Sequence, residues 1–372
     1  MGYCRAVWYS LFFAVLACQA QTPGDVVQKP VSERQLLCWI VGGLPQFNVQ
    51  YELQTRGVDF VLDATWLEHL RLTGTDADLL SAVQKAQPVS GASAPMDEFS
   101  DRLLRIIKES NTRKFAAAQL HLMGLAKLDK SSPDFLFARG AFLNRQENWE
   151  EAIPVLLEAI QVAPGSAYAH EQLSFAYYRM DIPDQSIKEA KAALAIRPSD
   201  PDAHKFLGLA HLSMHEFSDA DREFNEALKL KPDYAVAYGD LALSAAMQGQ
   251  NVAAIKLYMR AELLDPRNAH FPYGAGISYT RLNRVDEAIA AYKQAKNLAP
   301  DDLRIRQNLG AAYCNSGRNE EAVAEFQDLL TIDPDWNMAR LCLYKSLNGL
   351  GRVDEAAAVK AEYDRREAGG TD

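Results

Sequence analysis

Three histidines, His204, His211 and His215, stand seven and four residues apart, with Asp219 four further on. On one helical face, imidazoles at that spacing could converge on zinc or nickel, which bind neutral ring nitrogens well. This row is the best metal-ligand candidate in the chain, and every other constellation lacks a required member. His170-Glu171 and His215-Glu216 open like the helix of a zinc protease, but Ser174 and Asp219 stand where the second histidine must be. No Gly-x-x-x-x-Gly-Lys run is present to cradle phosphates, and no Gly-x-Ser-x-Gly to expose a nucleophilic serine. The pairs Glu150-Glu151, Asp286-Glu287 and Glu320-Glu321 recur at expected helix starts, where the helix dipole favours negative charge without any acid–base role. No catalytic residue and no cofactor is expected.

The elements that carry these residues are repeats. Pro164, Pro198, Pro232, Pro266, Pro300 and Pro334 each follow the last by 34 residues. A fixed period of this length marks a helix-turn-helix solenoid, in which each repeat needs its neighbours to cover its apolar faces. Other columns keep the same register. Twelve residues before the prolines lie Ala152, Ser186, Ala220, Ala254, Ala288 and Ala322, and twenty-four before lie Gly140, Ser174, Gly208, Ala242, Gly276 and Gly310. Those small side chains face a mostly bulky, apolar column eight residues before the prolines: Leu156, Ala190, Phe224, Tyr258, Tyr292 and Phe326. Small against large at helical spacing predicts interlocking layers, and a proline stops the second helix of each pair.

The small-residue and aromatic columns with their closing proline resemble the tetratricopeptide repeat family over about 133–370. That resemblance implies an all-α fold: a right-handed α-solenoid of about six to seven helix-turn-helix repeats. The last copy, about 337–370, keeps Leu343, Leu347 and Ala356 but has no closing proline. Its final helix is rich in charge, as a solvent-facing cap must be. Residues 99–132 read either as a degenerate first repeat or as an unrelated helical hairpin. Within this frame His204 and His211 occupy columns where aromatics pack, so an imidazole hydrogen-bonded to a neighbour competes with the metal reading.

Ahead of the repeats, residues 31–87 form a small separate module of short helices. Ser32 is placed to cap the first, Pro45 to begin the second, and Asp63 and Asp76 to cap the third and fourth. Two halves match at an offset of 31 residues, Leu36, Trp39 and Gly43 answering to Leu67, Leu70 and Gly74. The stretch 88–98, with Pro88, Gly91 and Pro95, reads as a linker.

Composition bounds the partners. A net charge of −10 without a basic run argues against nucleic acid, whose phosphates demand clustered Lys and Arg. Residues 1–20 read as a signal peptide: Arg5 supplies the positive start, Ala6 to Ala17 the apolar stretch, and Cys18-Gln19-Ala20 a cleavage site. The stretch is too short to span a bilayer, so the chain is expected in the periplasm or outside the cell, without a transmembrane span. Val15-Leu16-Ala17-Cys18 also resembles a bacterial lipoprotein box, which leaves a lipid anchor on Cys18 open. Cleavage would leave Cys38, Cys314 and Cys342, too few for a disulfide framework; Cys314 and Cys342 lie on first helices of adjacent repeats.

In the tetratricopeptide family the first helices line a concave groove that takes partners. The columns that face it predict a partner site of Phe137, Glu171, Phe175, Tyr178, Lys205, Leu209, Leu212, Leu243, Tyr273, Ile277 and Gln307. Arg145, Arg179 and Arg281 stand at the groove edge, placed to grip carboxylates on a peptide. The sequence thus points to a non-catalytic interaction scaffold of the bacterial cell envelope, holding an extended or helical protein segment. An accessory that binds envelope polysaccharide through the aromatic groove, and a metal-binding accessory through the histidine row, are the alternatives.

Overall fold

The computed structural model describes residues 30–369 apart from 42–43, 45, 61–63, 74, 76, 87–97, 112–113 and 126–130. The expected signal peptide, Cys18 and nearly all of the linker therefore lie outside the described residues. Among the described residues the regular elements are twenty helices, and the extended contact is one isolated parallel bridge between Val31 and Val58. No described helix is long and apolar enough to cross a membrane.

The chain divides into two compact units, Met1–Phe142 and Leu143–Asp372. The first holds α1 (Glu33–Val41), α2 (Gln46–Arg56), α3 (Ala64–Leu72), α4 (Ala77–Lys85), α5 (Glu98–Asn111) and α6 (Phe115–Leu125), with most of α7 (Pro133–Arg145). Ser32 Oγ accepts the Gln35 amide at 3.1 Å, the cap expected at the start of α1. Helix α1 packs on α5, α2 on α4, and α5 on α6. Leu36, Leu37, Cys38, Leu103 and Ile106 are buried in this unit.

In the second unit α8 (Trp149–Val162) precedes six helix pairs. They are α9 (Ala167–Arg179) with α10 (Pro183–Ile196), α11 (Pro201–Ser213) with α12 (Phe217–Leu230), and α13 (Ala235–Met247) with α14 (Asn251–Leu264). Then come α15 (His270–Arg281) with α16 (Val285–Leu298), α17 (Leu303–Asn315) with α18 (Asn319–Ile332), and α19 (Asn337–Gly349) with α20 (Val353–Gly369). Each helix packs on the next, and the first helices also touch one another in series, α9 on α11, α11 on α13, and so to α19. This is the α-solenoid expected from the 34-residue period.

The columns act as their residue types require. Residues that precede the prolines, such as Ala163 (φ −131°, ψ 79°) and Asp265 (φ −137°, ψ 87°), leave the helical region because the proline ring clashes with α backbone before it. A Cβ on Gly208 would lie 2.6 Å from the Phe224 ring, and one on Gly276 would lie 2.5 Å from Tyr292. Only a hydrogen fits there. Ser174 and Ser186 keep the approach close in their repeat by exchanging hydrogen bonds: each hydroxyl donates to the other's carbonyl at 2.9 Å. Two hydroxyls buried at a helix crossing thus satisfy each other. The final helix α20 buries Ala356 and leaves most of its length exposed, with surface ion pairs such as Arg352–Glu355.

One column escaped the sequence reading. The turn inside each pair has a residue in the left-handed region, at Glu147, Asp181, His215, Gly249, Asn283, Gly317 and Gly351, with φ from 57° to 77°. Four of the seven are not glycine. A backbone demand of this kind leaves no uniform residue signature when Asn, Asp and larger residues tolerate it at a modest cost.

Candidate functional site

The metal row does not assemble. Helix α11 ends at Ser213, and His215 sits in the left-handed turn with φ 59°, its ring 5.8 Å from that of Phe217. His204 and His211 turn to different carboxylates: His204 Nδ1 lies 2.8 Å from Glu223 Oε2 and His211 Nδ1 2.6 Å from Glu216 Oε2. Helical spacing alone misplaced the third imidazole because the helix stops before reaching it. His211 does share a neighbourhood with Glu216 and Asp219, whose oxygens and its nitrogen lie within 4.8 Å of one another. Arg222 already pairs with Asp219 at 2.5 Å. The His204–Glu223 pair is itself a repeat device, copied one period earlier as His170–Glu189 at 2.7 Å. Burial works against charge on His204, but its bonds to Glu223 and to the carbonyl of Pro198 hold its pKa above the usual value.

The partner strip divides. Leu209 and Leu212 are 8 % and 2 % exposed and pack with Phe206, Ala220 and Phe224 in the core between repeats. Phe175 and Tyr178 lie against that cluster but stay partly exposed, as do Tyr273, Ile277 and Gln307. Leu243 is 40 % exposed. Phe137 is buried within the first unit. The outward remnant of the strip is therefore Phe175, Tyr178, Leu243, Tyr273 and Ile277, on the first helices α9, α13 and α15. Phe175 is held between the rings of Trp149 and Phe206, 5.5 and 5.4 Å away. The Tyr273 hydroxyl accepts from Asn308 Nδ2 at 2.9 Å.

The edge arginines are largely committed inside the protein. The Arg179 guanidinium stacks 4.5 Å over Trp149, and Arg281 Nη1 donates to the Ala246 carbonyl at 2.6 Å. Arg145 is exposed at the end of α7. Cys314 and Cys342 are free thiols in one apolar cluster.

Glu171 and Lys205 were expected to face a partner and instead belong to a charged cluster shared by α9, α11 and α13. Glu171 is 1 % exposed. Burial pushes its carboxyl well above the carboxylate range, and the neighbouring Asp200 adds to the effect. Asp200, the N-cap of α11, accepts the amides of Asp202 and Ala203 and pairs with Arg197 at 3.0 Å. Arg197 in turn lies 4.3 Å over the Tyr168 ring. Lys205 Nζ is 3.4 Å from Asp202 and 4.2 Å from the Phe206 ring centre, while the Tyr234 hydroxyl donates to the same Asp202 oxygen. Asp240 on α13 completes the group. Burial raises its pKa to about 7, with Lys205 pulling the other way. Sequence columns missed Asp240 because it stands one position beyond the inward column at Gly239. In the first unit, a cleft of about 740 Å³ opens along α2 and α4, lined by Gln50, Arg56, Asp78, Ser81 and Lys85 among others.

The arrangement offers a surface with apolar patches and a charged centre. Sequence models described as tetratricopeptide repeat match residues 109–167, 207–270, 248–302 and 279–342, together just over half of the chain. No match is found among curated proteins. Among solved structures, the APC/C hetero-tetramer Cut9–Hcn1 is similar at 18% identity with a TM-score of 0.60. The match covers 76% of this chain and 54% of that one. The pilF protein of Pseudomonas aeruginosa (17% identity, TM-score 0.47) is matched over 54% of this chain and 92% of its own. A thermophilic repeat protein from Thermus thermophilus (19%, 0.46) is matched over 49% and 98%.

Proposed function

We propose, for a chain that belongs to the tetratricopeptide repeat family, that the first helices of the second unit bind an extended or helical segment of a partner protein. The repeats make it a protein-interaction scaffold, and proteins of this family are generally non-catalytic. The observation that supports a docking face is the run of partly exposed apolar side chains, Phe175, Tyr178, Leu243, Tyr273 and Ile277, on first helices of the stack. Each Phe or Leu that a partner covers contributes about 1.5–3 kcal/mol, so two or three anchors support micromolar binding after the cost of association. An envelope setting rests on the N-terminal apolar segment, and mass analysis of the exported chain would test it together with lipid on Cys18.

Peptides selected from a random display library against the full chain test the docking face. Leu243→Glu puts a charge on a side chain that is 40 % exposed, so the melting temperature is expected to stay within a degree or two. Affinity for the selected peptides is expected to fall at least about tenfold, the equivalent of one lost apolar anchor. Peptides that bind the variant and the wild type equally would overturn the assignment.

A further inference from the structure

The charged cluster has more carboxylates than cations. Glu171, Asp200, Asp202 and Asp240 meet Arg197 and Lys205, and each cation is already engaged, Arg197 with Asp200 and Lys205 with Asp202. Burial, and then the neighbouring Asp200, push the Glu171 carboxyl well up, and one further carboxylate has no cation paired with it. That carboxylate is Asp240. It makes no hydrogen bond to any described residue, and its Oδ2 is buried without a partner, as is Oε1 of the fully buried Glu171. A buried oxygen of an acid with nothing to bond is costly unless a cation or a proton meets it.

The surroundings suit a cation. Asp240 lies on α13, three residues before Leu243 of the docking face and so on the same side of that helix. Burial first, and after it the Asp240 charge, raises the pKa of three phenols, Tyr178, Tyr234 and Tyr258. Rings beside a carboxylate attract ammonium and guanidinium groups through both charge and quadrupole. Lys205 does not fill the role, because its Nζ is held by Asp202 and lies over Phe206 and 5.5 Å from Tyr234. We propose that the segment bound on this face carries a lysine or arginine whose cationic head is received by Asp240, with apolar residues on either side of it. This rests on the docking face proposed above and names the chemistry of what binds there.

An array of N-acetylated dodecapeptides, apolar at alternate positions and varied at one central residue among Lys, Arg, norleucine and Glu, tests it with the full chain. Lys and Arg peptides are expected to bind at least about tenfold tighter than norleucine peptides, with that advantage shrinking as salt rises. Asp240→Asn is expected to bring them down to the norleucine level while norleucine binding stays unchanged; a thermal melt confirms that the variant is folded. Equal binding of norleucine and Lys peptides to the wild type, or a basic preference that survives Asp240→Asn, overturns the role of Asp240 and leaves the docking face standing. Failure of every peptide, norleucine included, removes the docking face and this proposal with it.

Discussion

Asp240 ties a single side chain to the pH response of the molecule. Its carboxyl titrates near 7 in the folded chain against about 3.8 when free, so the folded state holds a proton that the unfolded state has lost. The sign follows from linkage: the stability Asp240 allows is complete below about pH 4 and is lost as pH rises through 7. A shift of this size corresponds to a few kcal/mol at most, on the order of 1.4 kcal/mol per pH unit. Asp240→Asn is therefore expected to melt higher than the wild type at pH 8 and to lose the advantage by pH 4. Parallel melting curves of the two proteins from pH 4 to 8 would contradict it. His204 follows the same direction as Asp240, and Glu223 opposes it at the acid end. The raised histidine pKa makes their bond strongest below about 6.5, and the lowered carboxyl pKa of Glu223 keeps it until the pH falls under about 4.5.

At the scale of the helix pair, the turn decides more than its sequence suggests. Glu147 adopts φ 60° in the position that Gly249, Gly317 and Gly351 occupy elsewhere. A side chain there costs about 1 kcal/mol that glycine avoids. Glu147→Gly is expected to raise the urea midpoint by the equivalent of about 1 kcal/mol, with the slope unchanged; an unmoved or lowered midpoint would show that the turn is not strained. The same turn explains why the histidine row failed. Seven residues after His204 is still helix, whereas eleven is past its end. The closing prolines and the small columns were legible because each acts through its own covalent shape, a fixed φ or an absent Cβ.

Across the second unit, every repeat has neighbours on both sides except the last. Among the described residues helix α20 packs chiefly on α19, buries little, and carries exposed ion pairs such as Lys360–Asp364 and Arg352–Glu355 that add little to stability. Stability in a stack is a sum of nearest-neighbour terms, so the end opens first. Amide hydrogen exchange is expected to be fastest in α20 and slowest in α11–α14, where Gly208, Phe224, Ala242 and Tyr258 interlock. Uniform protection from α9 to α20 would mean that the unit opens as one cooperative block instead.

What the sequence determined by itself was everything that repeats: the 34-residue period, the helix pairs, the small-against-large layers and the charged final helix. Periodic constraints are copied into each repeat, so one reading is corroborated by the next. What only the tertiary structure decided was singular: that Leu209 and Leu212 turn inward while Leu243 faces out, that Arg179 and Arg281 serve the fold, and that Glu171, Asp200, Asp202, Lys205 and Asp240 meet in one place. Those residues come from three different repeats, and although Glu171 and Lys205 share one column, opposite charges stand in it and the three aspartates lie outside it. Their charges interact only because neighbouring first helices pack side by side, and that contact exists only in the folded chain.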